Sequence, residues 1–169
     1  MNPLHSELPI IFLKPAEIYI GDQPAIVTTT FGSCVSIIFF DRMTNLSAIS
    51  HALLPSAHEN QNRCKYVDGV FSWMLEQFQS RGVKMEQVQV KLFGGSDLRE
   101  YDKGDYRRVA IGQQNAKKAL ELVEAHGLNL KASSLGGPTG LKIFLYTQCG
   151  KVLVKKIGKV CWLSEMSGK

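Results

Sequence analysis

At 169 residues, 44% hydrophobic and 21% charged, the chain suits one domain that builds its core without disulfide or metal staples, and its composition points to neither a disordered nor a membrane protein. The net charge of +5 is a mild excess, much of it in Lys151, Lys155, Lys156, Lys159 and Lys169, which fits either an acidic partner or a plain solvated strand face. No basic run carries interleaved aromatics of the kind that stack on bases, so nucleic acid is not an expected partner.

Residues 1–14 read as an N-terminal tail. Its apolar run, Leu8-Pro9-Ile10-Ile11-Phe12-Leu13, is short and interrupted, unlike a secretory signal or a membrane span. Short β-rich stretches follow at residues 17–20, 25–30, 34–40 and 46–54, each bounded by turn residues such as Gly21-Asp22-Gln23-Pro24 and Asp41-Arg42-Met43-Thr44-Asn45. The period then changes. Val67, Val70, Phe71, Met74, Leu75 and Phe78 recur at three- and four-residue steps and predict a helix over residues 66–79, closed by Gly82. Val88, Val90 and Leu92 alternate with polar residues and predict a strand running into Gly94-Gly95. Residues 96–109 are polar and read as a long loop, and long loops in compact domains often carry function.

A second helix is expected over residues 112–125, then a strand at 128–134, a glycine-rich turn at 136–140, and a hairpin pairing 141–147 with 151–157. Residues 160–163 read as a last strand. Strands first and helices later indicate α+β with a mixed or antiparallel sheet, in one domain spanning residues 15–165.

Four cysteines stand at 34, 64, 149 and 161 with no Cys-x-x-Cys pair, and the absence of a secretory signal predicts reduced thiols in the cytoplasm. Zinc through Cys34, His51, His58 and Cys64 matches no common finger spacing. Cys34 follows Gly32-Ser33 at a turn into a strand, where backbone N–H groups are free to face an oxyanion. The same position also suits a small buried thiol. A hairpin turn centred between Arg42 and Met43 pairs Cys34 directly with His51, and opposed Cβ atoms lie about 4.5–5.5 Å apart. That spacing puts an imidazole beside the thiol, where imidazolium would lower the thiol pKa. A packed strand histidine remains the alternative. A third group should orient the ring; Thr28 and Thr30 share one strand face and Thr29 takes the other.

Phe31-Gly32-Ser33-Cys34-Val35-Ser36, followed by Ser50-His51-Ala52-Leu53-Leu54-Pro55, resembles the signature of the CheD family of chemoreceptor glutamine deamidases. The likeness continues through Lys91-Leu92-Phe93-Gly94-Gly95, Ile111-Gly112-Gln113-Gln114-Asn115-Ala116 and Gly136-Gly137-Pro138-Thr139-Gly140-Leu141-Lys142-Ile143. Leu141 departs from it, because members usually carry Arg there, and so does the length of the polar stretch around residues 99–109.

The resemblance implies Cys34 as nucleophile, His51 as base and Thr28 as the third member, with an oxyanion site at Gly32 and Ser33. It implies a layered α/β fold with central mixed or antiparallel sheets, like the catalytic domain of cytotoxic necrotizing factor toxins. It further implies hydrolysis of receptor glutamine side chains to glutamate through a Cys34 thioester, without metal or organic cofactor. The implied partners are the cytoplasmic helices of methyl-accepting chemotaxis receptors and a CheC-type phosphatase. The rival readings are a non-catalytic adaptor for these partners and a receptor methylesterase.

Overall fold

The computed structural model describes residues 8–58, 62–97 and 110–157. The strand expected at 160–163 and most of the polar loop lie outside them. Nine strands of the described residues form two sheets that pack face to face. One has the order β1 (Ile10–Phe12), β3 (Ile26–Phe31), β8 (Gly140–Tyr146), β9 (Lys151–Ile157). The other has the order β2 (Ile18–Gly21), β5 (Leu46–Ser50), β4 (Val35–Asp41), β6 (Gln89–Gly94), β7 (Asn129–Leu135). Both sheets are mixed: β1 runs parallel to β3 and β6 parallel to β7, while the other pairs are antiparallel. Helices α1 (Val67–Ser80) and α2 (Ile111–Ala125) cover the outer face of the five-stranded sheet.

Strand β4 explains this layering. All seven of its residues are buried, which is what a near-continuous apolar run becomes when both of its faces are covered. Val35, Ile37 and Phe39 pack under the helices, where Phe39 meets Phe71 and Phe78 edge-on at 5.6 and 5.5 Å between ring centroids. Ile38 turns the other way, into the inter-sheet core with Ile49, Val27, Phe31, Ile143 and Leu145. Leu141 belongs to this second core, opposite Phe31 in the ladder, so the position where relatives are expected to carry Arg is an apolar wall here.

Two expectations need correction. The segment read as a tail contributes β1, paired with β3, and Leu13 beyond it is buried. Three residues are too few for an alternation signal, and only the pairing reveals the strand. The β4–β5 hairpin is also shifted by two residues from the expected register. Phe39 faces Ala48 and Val35 faces Ala52, so Cys34 lies across from Leu53, and His51 from Ser36. The cause is the turn. The Asp41 carboxylate accepts from the Met43 and Thr44 N–H groups and from the Thr44 hydroxyl, and Asn45 takes a positive φ of 59°. This makes a four-residue loop centred one position later.

Candidate active site

A two-residue shift preserves side-chain parity, so Cys34 and His51 still share the inter-sheet face as diagonal neighbours. His51 is buried and its ring meets Phe31 edge-on at 5.8 Å. Its backbone is held by β2's entry, with N–H to Glu17 O and its carbonyl accepting from Ala16. Between the paired residues Ile38–Ile49 and Val35–Ala52 the strands part. There the Ser50 hydroxyl takes the place of ladder bonds, accepting from Ile37 N and donating to Ile37 O. Among the described residues the Cys34 thiol makes no hydrogen bond to the ring.

The hydroxyl that meets the ring is that of Thr29, and not that of Thr28. Thr29 Oγ1 lies 2.7 Å from His51 Nδ1 and donates to the Leu13 carbonyl at 2.9 Å. Thr28 donates to Ile143 O on its own sheet. Packing decides the matter: Val27 and Phe31 lie in the inter-sheet core, so by alternation Thr29 points inward with them and with His51, and Thr28 points away. The tautomer follows too. The single Thr29 proton goes to Leu13 O, so Thr29 accepts from Nδ1–H, and Nε2 of neutral His51 carries the free lone pair.

The turn before Cys34 is tied back by its carbonyls. Gly32 O accepts from Ser96 N at 2.9 Å, Ser33 O from Asn115 Nδ2 at 2.9 Å, and Cys34 O from Gly95 N at 2.8 Å. In a planar trans peptide the N–H points opposite to the preceding carbonyl. The Ser33 and Cys34 N–H groups therefore face the other way; among the described residues the Ser33 N–H has no partner and the Cys34 N–H interacts with its own sulfur. Ser33 and Cys34 supply this pair of donors; Gly32 contributes by its carbonyl anchor. Gly94, at φ 108°, and Gly95, at φ 64°, permit this approach, because a Cβ at Gly94 would collide with Cys34 O and the Phe31 ring.

Burial raises the Cys34 thiol above its ordinary value, only partly offset by its own backbone N–H. Burial also lowers His51. The resting pair is therefore neutral thiol and neutral imidazole, in contrast to the thiolate expected beside an imidazolium. Among the described residues no group of three or more His, Cys, Asp or Glu side chains is placed to hold a metal ion, and no helix is long and apolar enough to cross a membrane.

The fold and site define a two-sheet α+β protein with a thiol and an imidazole on the inner face of one sheet and, from the facing sheet, the hydroxyl that meets the imidazole. The chain belongs to the CheD family: the family model for CheD chemotactic sensory transduction matches residues 53–156. It is 41% identical, over 94% of this chain and 97% of the relative, to the probable chemoreceptor glutamine deamidase CheD 2 of Geobacter sulfurreducens. It is 34% identical, over 91% of this chain and 95% of the relative, to the probable chemoreceptor glutamine deamidase CheD of Maridesulfovibrio salexigens. The crystal structure of Bacillus licheniformis hypothetical protein YfiH superposes with a TM-score of 0.47 at 15% identity, covering 70% of this chain and 50% of that one.

Proposed function

We propose that this chain is a cytoplasmic protein-glutamine deamidase acting on the helices of chemotaxis receptors, with Cys34 as nucleophile, His51 as acid and base, and Thr29 orienting the ring. The observation that carries the chemistry is the Leu13–Thr29–His51 chain of hydrogen bonds, which leaves Nε2 as the basic atom on the face Cys34 shares. The relatives' names supply the substrate class. A CheC-type phosphatase as second partner, and a fold akin to the necrotizing-factor catalytic domain, belong to the same reading through the motif resemblance.

Starting from a neutral pair, Nε2 takes the thiol proton as Sγ bonds to the amide carbon, and the carbonyl π pair moves onto oxygen. The Ser33 and Cys34 N–H groups receive that oxyanion. As it collapses the C–N bond breaks, His51 returns the proton to nitrogen, and ammonia leaves a thioester. Water then gives a proton to His51 and attacks the thioester carbon. The C–S bond breaks, sulfur regains the proton, and glutamate is released.

The test is incubation with a glutamine-bearing receptor fragment, followed by mass spectrometry. A gain of about one dalton per site, lost in Cys34→Ala, is expected for nucleophilic deamidation. Binding without the mass change would make the protein an adaptor. Methanol release from a methylated fragment, without ammonia, would make it an esterase.

A further inference from the structure

Asn115 is fully buried in the first turns of α2, and the site described above uses it only in passing. Its side chain spans two segments, the turn before β4 and the stretch after β5. Nδ2 donates to Ser33 O and to Leu53 O, both at 2.9 Å. Its Oδ1 is buried and has no partner among the described residues. Burying an amide with an unmet acceptor is unfavourable, and an apolar side chain of similar volume would avoid it. The two bonds it does make lie next to the nucleophile and two residues past the base. They also lie where the hairpin ladder ends: beyond Val35–Ala52, the Leu53 and Leu54 N–H groups turn to Lys65 O.

The approach of α2 is set by backbone contact. A Cβ at Gly112 would strike Ser96 O and the Gly95 carbonyl, so the helix start lies directly on the segment that ties back Gly32 and Cys34. One turn later Asn115 reaches the remaining carbonyl of that turn. Holding Ser33 O fixes the plane of the Ser33–Cys34 peptide, and with it the direction of the Cys34 N–H.

We propose that Asn115 is a positioning residue that clamps the Ser33–Cys34 peptide against the His51 strand and aims the Cys34 N–H at the reacting atoms. The aim toward an oxyanion rests on the deamidase reading; the clamp itself does not. Without it the peptide is free to rotate. The donor beside the sulfur is then lost, and that donor is what partly offsets the burial of the thiol.

The test compares Asn115→Ala with Val123→Ala, a buried core truncation two turns further along α2. Both are compared with the unaltered protein at a temperature where all are folded by near-ultraviolet circular dichroism. Two readouts are taken: kcat and KM on the receptor fragment, and the pH profile of Cys34 alkylation by iodoacetamide. Asn115→Ala is expected to lower kcat by about a hundredfold, the scale of one lost oxyanion donor, with KM little changed, and to move the alkylation profile to higher pH. Val123→Ala should leave both unchanged. An unmoved alkylation profile in Asn115→Ala overturns the clamp, as does an equal shift in Val123→Ala. If the unaltered protein deamidates nothing, the deamidase reading falls while the alkylation arm still decides the clamp. Should Asn115→Ala not fold, nuclear magnetic resonance of the unaltered protein decides it. Slow solvent exchange of the Asn115 side-chain amide protons, and a shift in them when Cys34 is alkylated, are expected. Exchange as fast as that of a surface Asn overturns the proposal.

Discussion

The Thr29 hydroxyl joins His51 to the first strand's exit, lying 2.7 Å from Nδ1 and donating to Leu13 O at 2.9 Å. Without this acceptor nothing holds the proton on Nδ1, and the ring is free to present the wrong tautomer to Cys34. Thr29→Ala is expected to lower kcat about tenfold to a hundredfold, less than the roughly 10²–10⁴ a general base supplies. Thr29→Ser, which keeps the hydroxyl, should restore most of it. Thr28→Ala loses only the bond to Ile143 O and should cost about 1 kcal/mol of stability with activity retained. Ammonia-release kinetics and urea unfolding on the three variants check this. Equal activity losses at 28 and 29 would remove Thr29 from the site.

The neutral resting pair predicts a particular pH dependence. Cys34 is raised from an ordinary 9.0 and His51 lowered from an ordinary 6.5, both by burial. Alkylation of Cys34 should rise only above about pH 9, with no reactive plateau near neutrality, and such a plateau would show a preformed ion pair instead. Folding stability carries the same signature. The fold binds the His51 proton less tightly than the unfolded chain does. That contribution is complete above the ordinary 6.5 and is lost as pH falls toward the lowered folded value. The fold binds the Cys34 proton more tightly. Its contribution is complete below the ordinary 9.0 and is lost as pH rises through the raised folded value. Urea unfolding across pH should show the acid-side slope reduced in His51→Gln and the alkaline-side slope reduced in Cys34→Ala.

Much of this was legible in the residues and some was not, for physical reasons. Helices α1 and α2 announce themselves by a sustained 3.6-residue period, and β4 by a run of apolar residues. Alternation separates Thr29 from Thr28 and Thr30 but carries no information on which face meets His51; that depends on how the two sheets pack. Register depends on turn chemistry, and counting residues cannot reveal that Asp41 folds its carboxylate over Met43 and Thr44. The Gly95, Gly112 and Asn115 motifs are visible as motifs. Their shared purpose, bringing α2 onto the Cys34 turn, appears only in three dimensions.

Asp41 is accordingly expected to matter beyond its own loop. It is buried, with its carboxylate satisfied by the Met43 and Thr44 N–H groups and the Thr44 hydroxyl, the last at 2.7 Å. Asp41→Ala leaves those donors without their partner and should cost about 1–3 kcal/mol. The turn also fixes which residue faces His51, so its loosening should broaden the amide resonances of Ser36 and His51 in a heteronuclear correlation spectrum. Destabilisation with those resonances unchanged would show that the register is held by the strands alone.

The glycines give the last prediction, because two of them share a positive φ and differ in their surroundings. Gly82 has φ 76°, and a Cβ there would meet nothing within 4 Å, whereas Gly94 has φ 108°, and a Cβ there would collide with Cys34 O and stand 2.8 Å from Phe31 ring atoms. Gly82→Ala should cost only the backbone preference, about 1–2 kcal/mol, and leave kcat intact. Gly94→Ala carries strain of about 1–3 kcal/mol in the backbone and must in addition displace either the Cys34 carbonyl or the Phe31 ring that packs on His51. Either displacement moves a reacting group, so activity should fall by more than the folded fraction does. Unfolding curves give that fraction, and deamidation assayed on the same samples gives the activity. Activity that merely tracks the folded fraction in Gly94→Ala would mean that the Cys34 turn tolerates the shift, and that its backbone is not held to the tolerance the site requires.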